Sequence, residues 1–172
     1  EQAEEALGNA DCQAETCLQV GNFRHADQLV HGCGCEEVDA ALLDLGFRSE
    51  QLSAGRGFSF QEDDPLLMTY KHPDDLKDGD ITAREIVNNW DEDSIERVLE
   101  GYANEPYSKQ IASAIIDHRQ SSSLETTQDL VSVIEKAVPK GYRNGKRHPA
   151  TRTFQALRMA VNDEVRALEE GL

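Results

Sequence analysis

The stretch 38-VDAALLDLG-46 is a nearly continuous apolar run that ends in Asp44 and Gly46. Such a run is typical of a parallel β-strand that is covered on both faces. The earlier segment 16-TCLQVG-21 is short and β-branched enough for a second buried strand. Helical spacing precedes each of the two segments, so the first 46 residues predict an α/β fold. Because ligands of such sheets bind beyond the carboxyl ends of the strands, Asp44 is a candidate site residue.

The pattern changes after residue 46. Residues 47–80 are marked by Gly, Asp and Pro and predict a long ordered loop. The pattern Thr82-x-x-Glu85 is a capping box that opens a short helix, and Thr126 or Thr127 caps a later one. Three apolar stripes predict a helical subdomain of three or four helices; they are Ile95, Val98, Leu99 and Tyr102, then Ile111, Ala112, Ile115 and Ile116, then Leu130, Val131, Ile134 and Val138. Apolar residues from Phe154 to Leu168 predict one long terminal helix.

The charge of the chain is unevenly distributed. Its 172 residues include 17 Lys and Arg against 33 Asp and Glu, a formal net charge of -16. Residues 136–158 nevertheless contain seven Lys or Arg and no acidic residue. An acidic protein repels nucleic acid in general, so this concentration of positive charge indicates one specific site for a polyanion.

The basic segment has the chemistry of a phosphate site. Its centre, 143-RNGKRHPATR-152, leads into the terminal helix, whose first-turn amides add donors for phosphate oxygens. The Tyr142 ring offers a surface on which a base could stack. The candidate RNA-binding residues are Arg143, Lys146, Arg147, His148 and Arg152. The alternative is that the cations only neutralise acidic helices beside them, and charge alone leaves both interpretations open.

The four cysteines and the hydropathy exclude other classes. The spacing of Cys33 and Cys35 differs from that of a zinc knuckle, and no His pair completes a set, so we predict reduced thiols and no metal site. Metal ligation by the cysteines is the alternative. No apolar run is long enough to span a membrane, and residues 1–10 are too polar for a signal peptide, so we expect a cytoplasmic protein without membrane contact.

Several motifs together resemble those of the RsmH (MraW) family of methyltransferases. The segment 148-HPATRTFQALRMAVNDE-164 is very similar to the family signature, and 42-LLDLGFRSEQL-52 resembles LLDLGVSSPQL. The segment 56-RGFSF-60 matches outright. Shorter similar segments, in the same order, are TAREIVN (82–88), IASAI (111–115) and TT (126–127). The resemblance covers almost the whole chain.

The resemblance implies a function and a cofactor. Members of this family use S-adenosylmethionine to methylate the N4 amine of a cytidine in 16S ribosomal RNA, in the decoding region of the small subunit. By motif, the residues that contact the methyl donor correspond to Phe23, Asp44 and Gln51. Asp44 is also the catalytic candidate, since methyl transfer needs an acceptor near the amine and tight positioning. The implied partner is 16S ribosomal RNA or the small ribosomal subunit; a homodimer is left open.

The resemblance also implies a domain organisation. Residues 1–57 correspond to part of a Rossmann-like methyltransferase sheet, residues 58–153 to an inserted all-helical subdomain, and residues 154–172 to a helix that returns to the methyltransferase domain. The chain begins after the family's Gly-rich donor loop and stops before its later strands, so we expect this piece alone to be inactive.

Departures from the family pattern keep other functions open. The family's PLDMRM is here 65-PLLMTY-70, with Leu67 and Thr69 in place of an Asp and an Arg. The alternative function is a non-catalytic RNA-binding module derived from this family. A helical protein-interaction domain is a third hypothesis, which only the apolar stripes support.

Overall fold

The computed structural model describes residues 15–44 and 55–172 of the chain. The described residues belong to two compact units, one of residues 15–44 and 165–172 and the other of residues 55–164. The functional domains 1–57, 58–153 and 154–172 stay a prediction.

The first unit contains a 3-10 turn and short helices. The turn Phe23–His25 leads into α1 (Ala26–Gly32). A Cβ atom on Gly171 would lie 2.8 Å from the Phe23 carbonyl oxygen, so the absence of a side chain allows this close approach of the two backbones. Arg24 forms an ion pair with Glu170 at 3.3 Å.

The predicted α/β sheet is wrong for the part of the chain that the structure describes. Residues 16–20 and 38–44 form no strand there, and the one β-bridge among the described residues joins Pro65 and Thr126. Val20 and Leu42 are 103% and 95% exposed rather than buried. A strand exists only when a neighbour pairs with its backbone amides and carbonyls, and the described residues provide no such neighbour for either segment.

The prediction of reduced thiols is wrong for two of the cysteines. Cys17 and Cys33 form a disulfide, with their Cα atoms 5.9 Å apart, while Cys35 is free and exposed. Cys33 directly follows α1 and lies 16 positions from Cys17, so no local spacing pattern indicates the pair. Cys12 lies outside the described residues.

The second unit is largely helical. Its helices are α2 (Ala83–Asn89), α3 (Glu92–Ala103), α4 (Ser108–Arg119), α5 (Thr127–Ala137), α6 (Lys140–Arg143) and α7 (Thr151–Val161). The packing pairs are α3 with α4 and α7, α4 with α5, and α2 with α4 and α7. The residues of the three predicted stripes contribute Ile95, Leu99, Ile111, Ile115, Leu130 and Ile134 to a shared core that is fully closed to solvent.

The helix caps follow the sequence prediction closely. The Thr82 hydroxyl accepts the Glu85 amide at 3.1 Å, although the Glu85 carboxylate accepts the side-chain amide of Asn89 instead of completing the box. Thr126 and Asp129 form a full capping box at the start of α5. Each cap satisfies amides that the helix itself leaves without partners.

The predicted long terminal helix is broken into α7 and α8 (Glu164–Gly171). The Asn162 side chain donates to the Met68 carbonyl at 2.7 Å and accepts the Tyr70 amide at 2.8 Å. The following residue, Asp163, has a φ of 51°, in the left-handed region. The bonds between Asn162 and the loop of residues 68–70 therefore coincide with the end of α7, and the left-handed Asp163 separates it from α8.

The loop of residues 55–82 is ordered by burial. Leu66 and Met68 are fully buried in the core, and the Met68 amide donates to the Arg56 carbonyl at 2.7 Å. Gly57 has a φ of 77°, and a Cβ atom on it would overlap the Pro65 carbonyl oxygen. Both conditions require glycine at this position.

No helix in the described ranges is long and apolar enough to cross a membrane. Within the same ranges, no three His, Cys, Asp or Glu side chains are grouped as a metal site requires.

We predict that Gly57→Ala lowers the free energy of unfolding by about 2 to 3 kcal/mol, because a methyl group adds both backbone strain and a clash. Gly101→Ala is the matched control, since Gly101 lies within α3 and its Cβ would meet no atom within 4 Å. The control should raise the free energy of unfolding by about 0.5 to 1 kcal/mol. Urea unfolding followed by circular dichroism measures the free energy of unfolding of both variants. Equal stability of Gly57→Ala and wild type would contradict the requirement for glycine at position 57.

Candidate nucleic-acid interface

The start of α7 has no side-chain cap and no acidic residue. Its N-cap, Ala150, has no side chain that could accept the first-turn amides, and the first turn contains no Asp or Glu. The Thr151 amide donates to the His148 carbonyl at 3.0 Å, which fixes the turn that enters the helix. The positive end of the helix dipole therefore adds to the side-chain cations around it.

A cavity of about 460 Å³ lies at this helix entrance. It is lined by Gly141, Tyr142, Gly145, Lys146, Arg147, His148, Thr151 and Arg152. Four of the five predicted RNA-binding residues therefore come together; the fifth, Arg143, is exposed at the end of α6 and does not line the cavity. We call this cavity the basic pocket.

The cations of the basic pocket differ in how they are held. Lys146 and Arg147 are exposed, and neither makes a hydrogen bond or ion pair within the described ranges. Arg152 donates from Nη1 to the Asn104 carbonyl at 2.5 Å and is thereby fixed to the connection between α3 and α4. The pocket thus combines one anchored guanidinium with two free cations.

His148 is held in an aromatic cluster. Its ring stacks on Phe60 with the centroids 4.4 Å apart, and Phe60 in turn meets the edge-on ring of Phe154 at 5.4 Å. The ring Nε2 lies 3.8 Å from a Glu135 carboxylate oxygen. The cluster joins the segments 56-RGFSF-60 and 148-HPATRTF-154 through their aromatic rings.

Tyr142 is fixed by a contact that the sequence did not indicate. Its hydroxyl donates to Glu105 Oε2 at 2.8 Å, and its ring meets that of Tyr107 at 4.9 Å in an edge-to-face arrangement. Burial, followed by the hydrogen bond to Glu105, raises the pKa of Tyr142 to about 12. The two residues are 37 positions apart, so no local pattern could reveal the pair.

A similar pair lies at the other end of α7. The Tyr70 hydroxyl donates to Glu164 Oε1 at 2.9 Å, and burial, followed by this hydrogen bond, raises the pKa of Tyr70 to about 12. Arg158 donates to both Glu164 oxygens, at 2.9 and 3.0 Å. The alternative that the cations only neutralise nearby acidic side chains therefore holds for Arg158, which is paired with Glu164. It does not hold for Lys146 and Arg147.

The predicted methyl-donor residues are only partly described. Phe23 is half-buried in its 3-10 turn, and Asp44 is exposed in the same unit, while Gln51 lies outside the described residues. Asp44 does not end a buried strand in the described part of the chain, so only the motif resemblance supports it. A carboxylate attracts positive charge and a ring offers apolar area, which are the side-chain types that a cationic, adenine-containing donor needs. Their assignment stays a prediction.

Comparisons with known proteins agree with the motifs. The profile of the MraW methylase family matches residues 1–172. The chain is similar to proteins named ribosomal RNA small subunit methyltransferase H. It is 47% identical to that of Geotalea daltonii over 88% of this chain and 47% of the relative, and 40% identical to that of Brevibacillus brevis over 90% and 48%. Against that of Persephonella marina it is 36% identical over 100% of this chain and 56% of the relative.

The chain spans about half the length of the curated relatives it matches. The family match extends over every residue, including those of the basic pocket. The chain belongs to the MraW methylase family.

Proposed function

We propose that this chain belongs to an enzyme that methylates the N4 amine of a cytidine in 16S ribosomal RNA. The single observation that carries the proposal is the basic pocket, because in an otherwise acidic chain it gathers cations beside residues of the family's signature segment, namely His148, Thr151 and Arg152. The names of the relatives supply the substrate class, ribosomal RNA of the small subunit.

The basic pocket would bind the RNA backbone. Lys146 and Arg147 are free to approach phosphate oxygens, and Arg152 stands at the helix entrance. A lysine acts as a point charge and an arginine can bind two oxygens at once, so together they favour a phosphodiester over a single carboxylate. The acidic remainder of the chain, which repels RNA elsewhere, would direct the strand to this site.

The methyl donor would be S-adenosylmethionine, which supplies an electrophilic methyl group. Phe23, Asp44 and Gln51 would hold it, the ring against the adenine and the carboxylate near the positive charge. The Asp44 carboxylate would also accept a hydrogen bond from the cytidine amine and so orient its nitrogen. Residues 1–57 and 154–172 would form the donor-binding domain and residues 58–153 the RNA-binding insert.

The proposed substrate implies both the RNA partner and the cellular compartment. An enzyme for 16S ribosomal RNA acts on that RNA, free or within the small subunit, where ribosomes are assembled. This places the proposed function in the cytoplasm.

We predict that Lys146→Ala/Arg147→Ala weakens the binding of a single-stranded RNA oligonucleotide. It should also reduce the slope of log affinity against log salt by about 1.4, since each lost phosphate contact in a single strand changes the slope by about 0.7. Fluorescence anisotropy at several salt concentrations measures both quantities.

The matched control is Arg97→Ala/Lys109→Ala, which removes the same charge from exposed positions on α3 and α4, outside the pocket. The control should leave the salt slope within about 0.3 of wild type, because no phosphate contact is lost there. Equal slopes for the two double variants would mean that net charge, rather than the pocket, binds the RNA.

We predict that Asp44→Asn in the enzyme that carries this chain lowers methyl transfer by about 100-fold or more, since it removes both a charge and an acceptor. Transfer of a radiolabelled methyl group to 16S ribosomal RNA is the measurement, with circular dichroism to check the fold. Asp39→Asn, a nearby exposed acid, is the control. RNA binding without any methyl transfer by the unmutated enzyme would instead favour the non-catalytic RNA-binding module.

A further inference from the structure

We propose that Glu105 is a positioning residue that, through Tyr142, holds the basic pocket in its RNA-binding shape. The inference rests on the proposed function, since it assigns a role toward the same site. Glu105 itself does not line the pocket.

Glu105 is a buried carboxylate held by neutral donors. The residue is 2% exposed; its Oε1 accepts the Tyr107 amide at 3.0 Å and its Oε2 accepts the Tyr142 hydroxyl at 2.8 Å. No Lys, Arg or His of the described residues forms an ion pair with it. Burying an acidic side chain is costly and rare, so the two hydrogen bonds must replace the water that the carboxylate loses.

The connection between α3 and α4, residues 104–107, touches two walls of the basic pocket. Asn104 ends α3 with a φ of 47°, and its carbonyl accepts the Arg152 guanidinium. Two residues beyond Glu105, the Tyr107 ring packs against Tyr142. The same short connection therefore fixes Tyr142 on α6 and Arg152 in the first turn of α7.

The loop between these two anchors is held at its ends. At the α6 end the Asn144 amide donates to the Lys140 carbonyl and the Gly145 amide to the Tyr142 carbonyl; at the α7 end the His148 ring stacks on Phe60 and its carbonyl accepts the Thr151 amide. Lys146 and Arg147 are exposed beyond them. Because the loop is short, fixing Tyr142 and Arg152 restricts the positions of the cations between them, which lowers the ordering cost of binding.

The position of Glu105 favours this role over one in stability alone. It lies at the end of the bundle, while the apolar core is formed by stripes that do not need a carboxylate. Removing one partner of a buried hydrogen bond leaves the other unsatisfied and costs stability, whereas replacing both partners by apolar groups of the same shape can be nearly neutral. Since the apolar core does not need the Glu105 carboxylate, we attribute its role to orienting Tyr142.

The first test compares the RNA affinity of Glu105→Leu, Glu105→Gln and Tyr142→Phe with wild type, using a single-stranded RNA oligonucleotide and fluorescence anisotropy. Glu105→Leu and Tyr142→Phe should each weaken binding about five- to tenfold, the scale of the net contribution of one hydrogen bond. Glu105→Gln should recover part of the affinity, since its amide oxygen can still accept the tyrosine hydroxyl. The double variant Glu105→Leu/Tyr142→Phe should be no weaker than either single variant, because the two residues act as one unit.

Tyr70→Phe is the matched control, because it removes the same type of phenol–carboxylate bond at the other end of α7. It should leave RNA affinity unchanged. A loss of affinity equal to that of Tyr142→Phe would show that general destabilisation, not positioning, is being measured, and would overturn the proposal.

The second test follows the Tyr142 phenol and the loop directly. The pKa of Tyr142 is raised, so the stability from this contact is complete below pH 10 and is lost as the pH rises through about 12. Tyr70, the other tyrosine with a raised pKa, is removed in a Tyr70→Phe background, so that the tyrosine that titrates at the highest pH is Tyr142. Adding Glu105→Leu to this background should move that titration to lower pH.

Backbone amides of residues 144–148 should also exchange with deuterium faster in Glu105→Leu than in wild type.

The outcomes separate this inference from the proposed function. If the wild-type chain binds RNA and Glu105→Leu binds it equally well, the positioning role is wrong and the proposed function stands. If the wild-type chain does not bind RNA, the proposed function fails, and the inference fails with it. Unchanged amide exchange in residues 144–148 of Glu105→Leu also overturns the positioning role.

Discussion

The packing of α7 against α3 is the constraint on which the basic pocket depends. The N-cap Ala150 and, within α7, Thr153 and Ala156 are fully buried, and their small size lets the helix lie close in the bundle. The first turn of α7 is thereby held beside the connection that follows α3, where Arg152 meets the Asn104 carbonyl. Without that packing, the cations of the basic pocket would not be held in one place.

The helical part of the fold could be predicted because its determinants are local. The spacing of Ile95 and Leu99, and the Thr126 cap with Asp129, each involve residues within one or two turns. The two strands could not be predicted in the same way, since an apolar run such as residues 38–44 forms a strand only beside a partner. Its composition alone gave the wrong expectation for the described residues.

The charged residues of the candidate site could be predicted from the sequence, but the bonds that shape it could not. The charges of Lys146, Arg147 and Arg152 are local facts, and four of the five predicted RNA-binding residues do line one cavity. The bonds that shape the cavity join residues far apart in the chain: Tyr142 with Glu105, and Arg152 with Asn104. The disulfide between Cys17 and Cys33 is of the same kind, because its two cysteines are 16 positions apart in the chain.

The central claim is that RNA meets this chain at the entrance of α7. Nitrogen–proton correlation NMR of the labelled chain, titrated with a single-stranded RNA oligonucleotide, tests it most directly. The account predicts that the largest shifts fall on amides of residues 141–152 and that the open cavity lined by Glu92, Lys109 and Asp117 stays unperturbed. Shifts centred on that second cavity, or spread evenly over the helices, would contradict it.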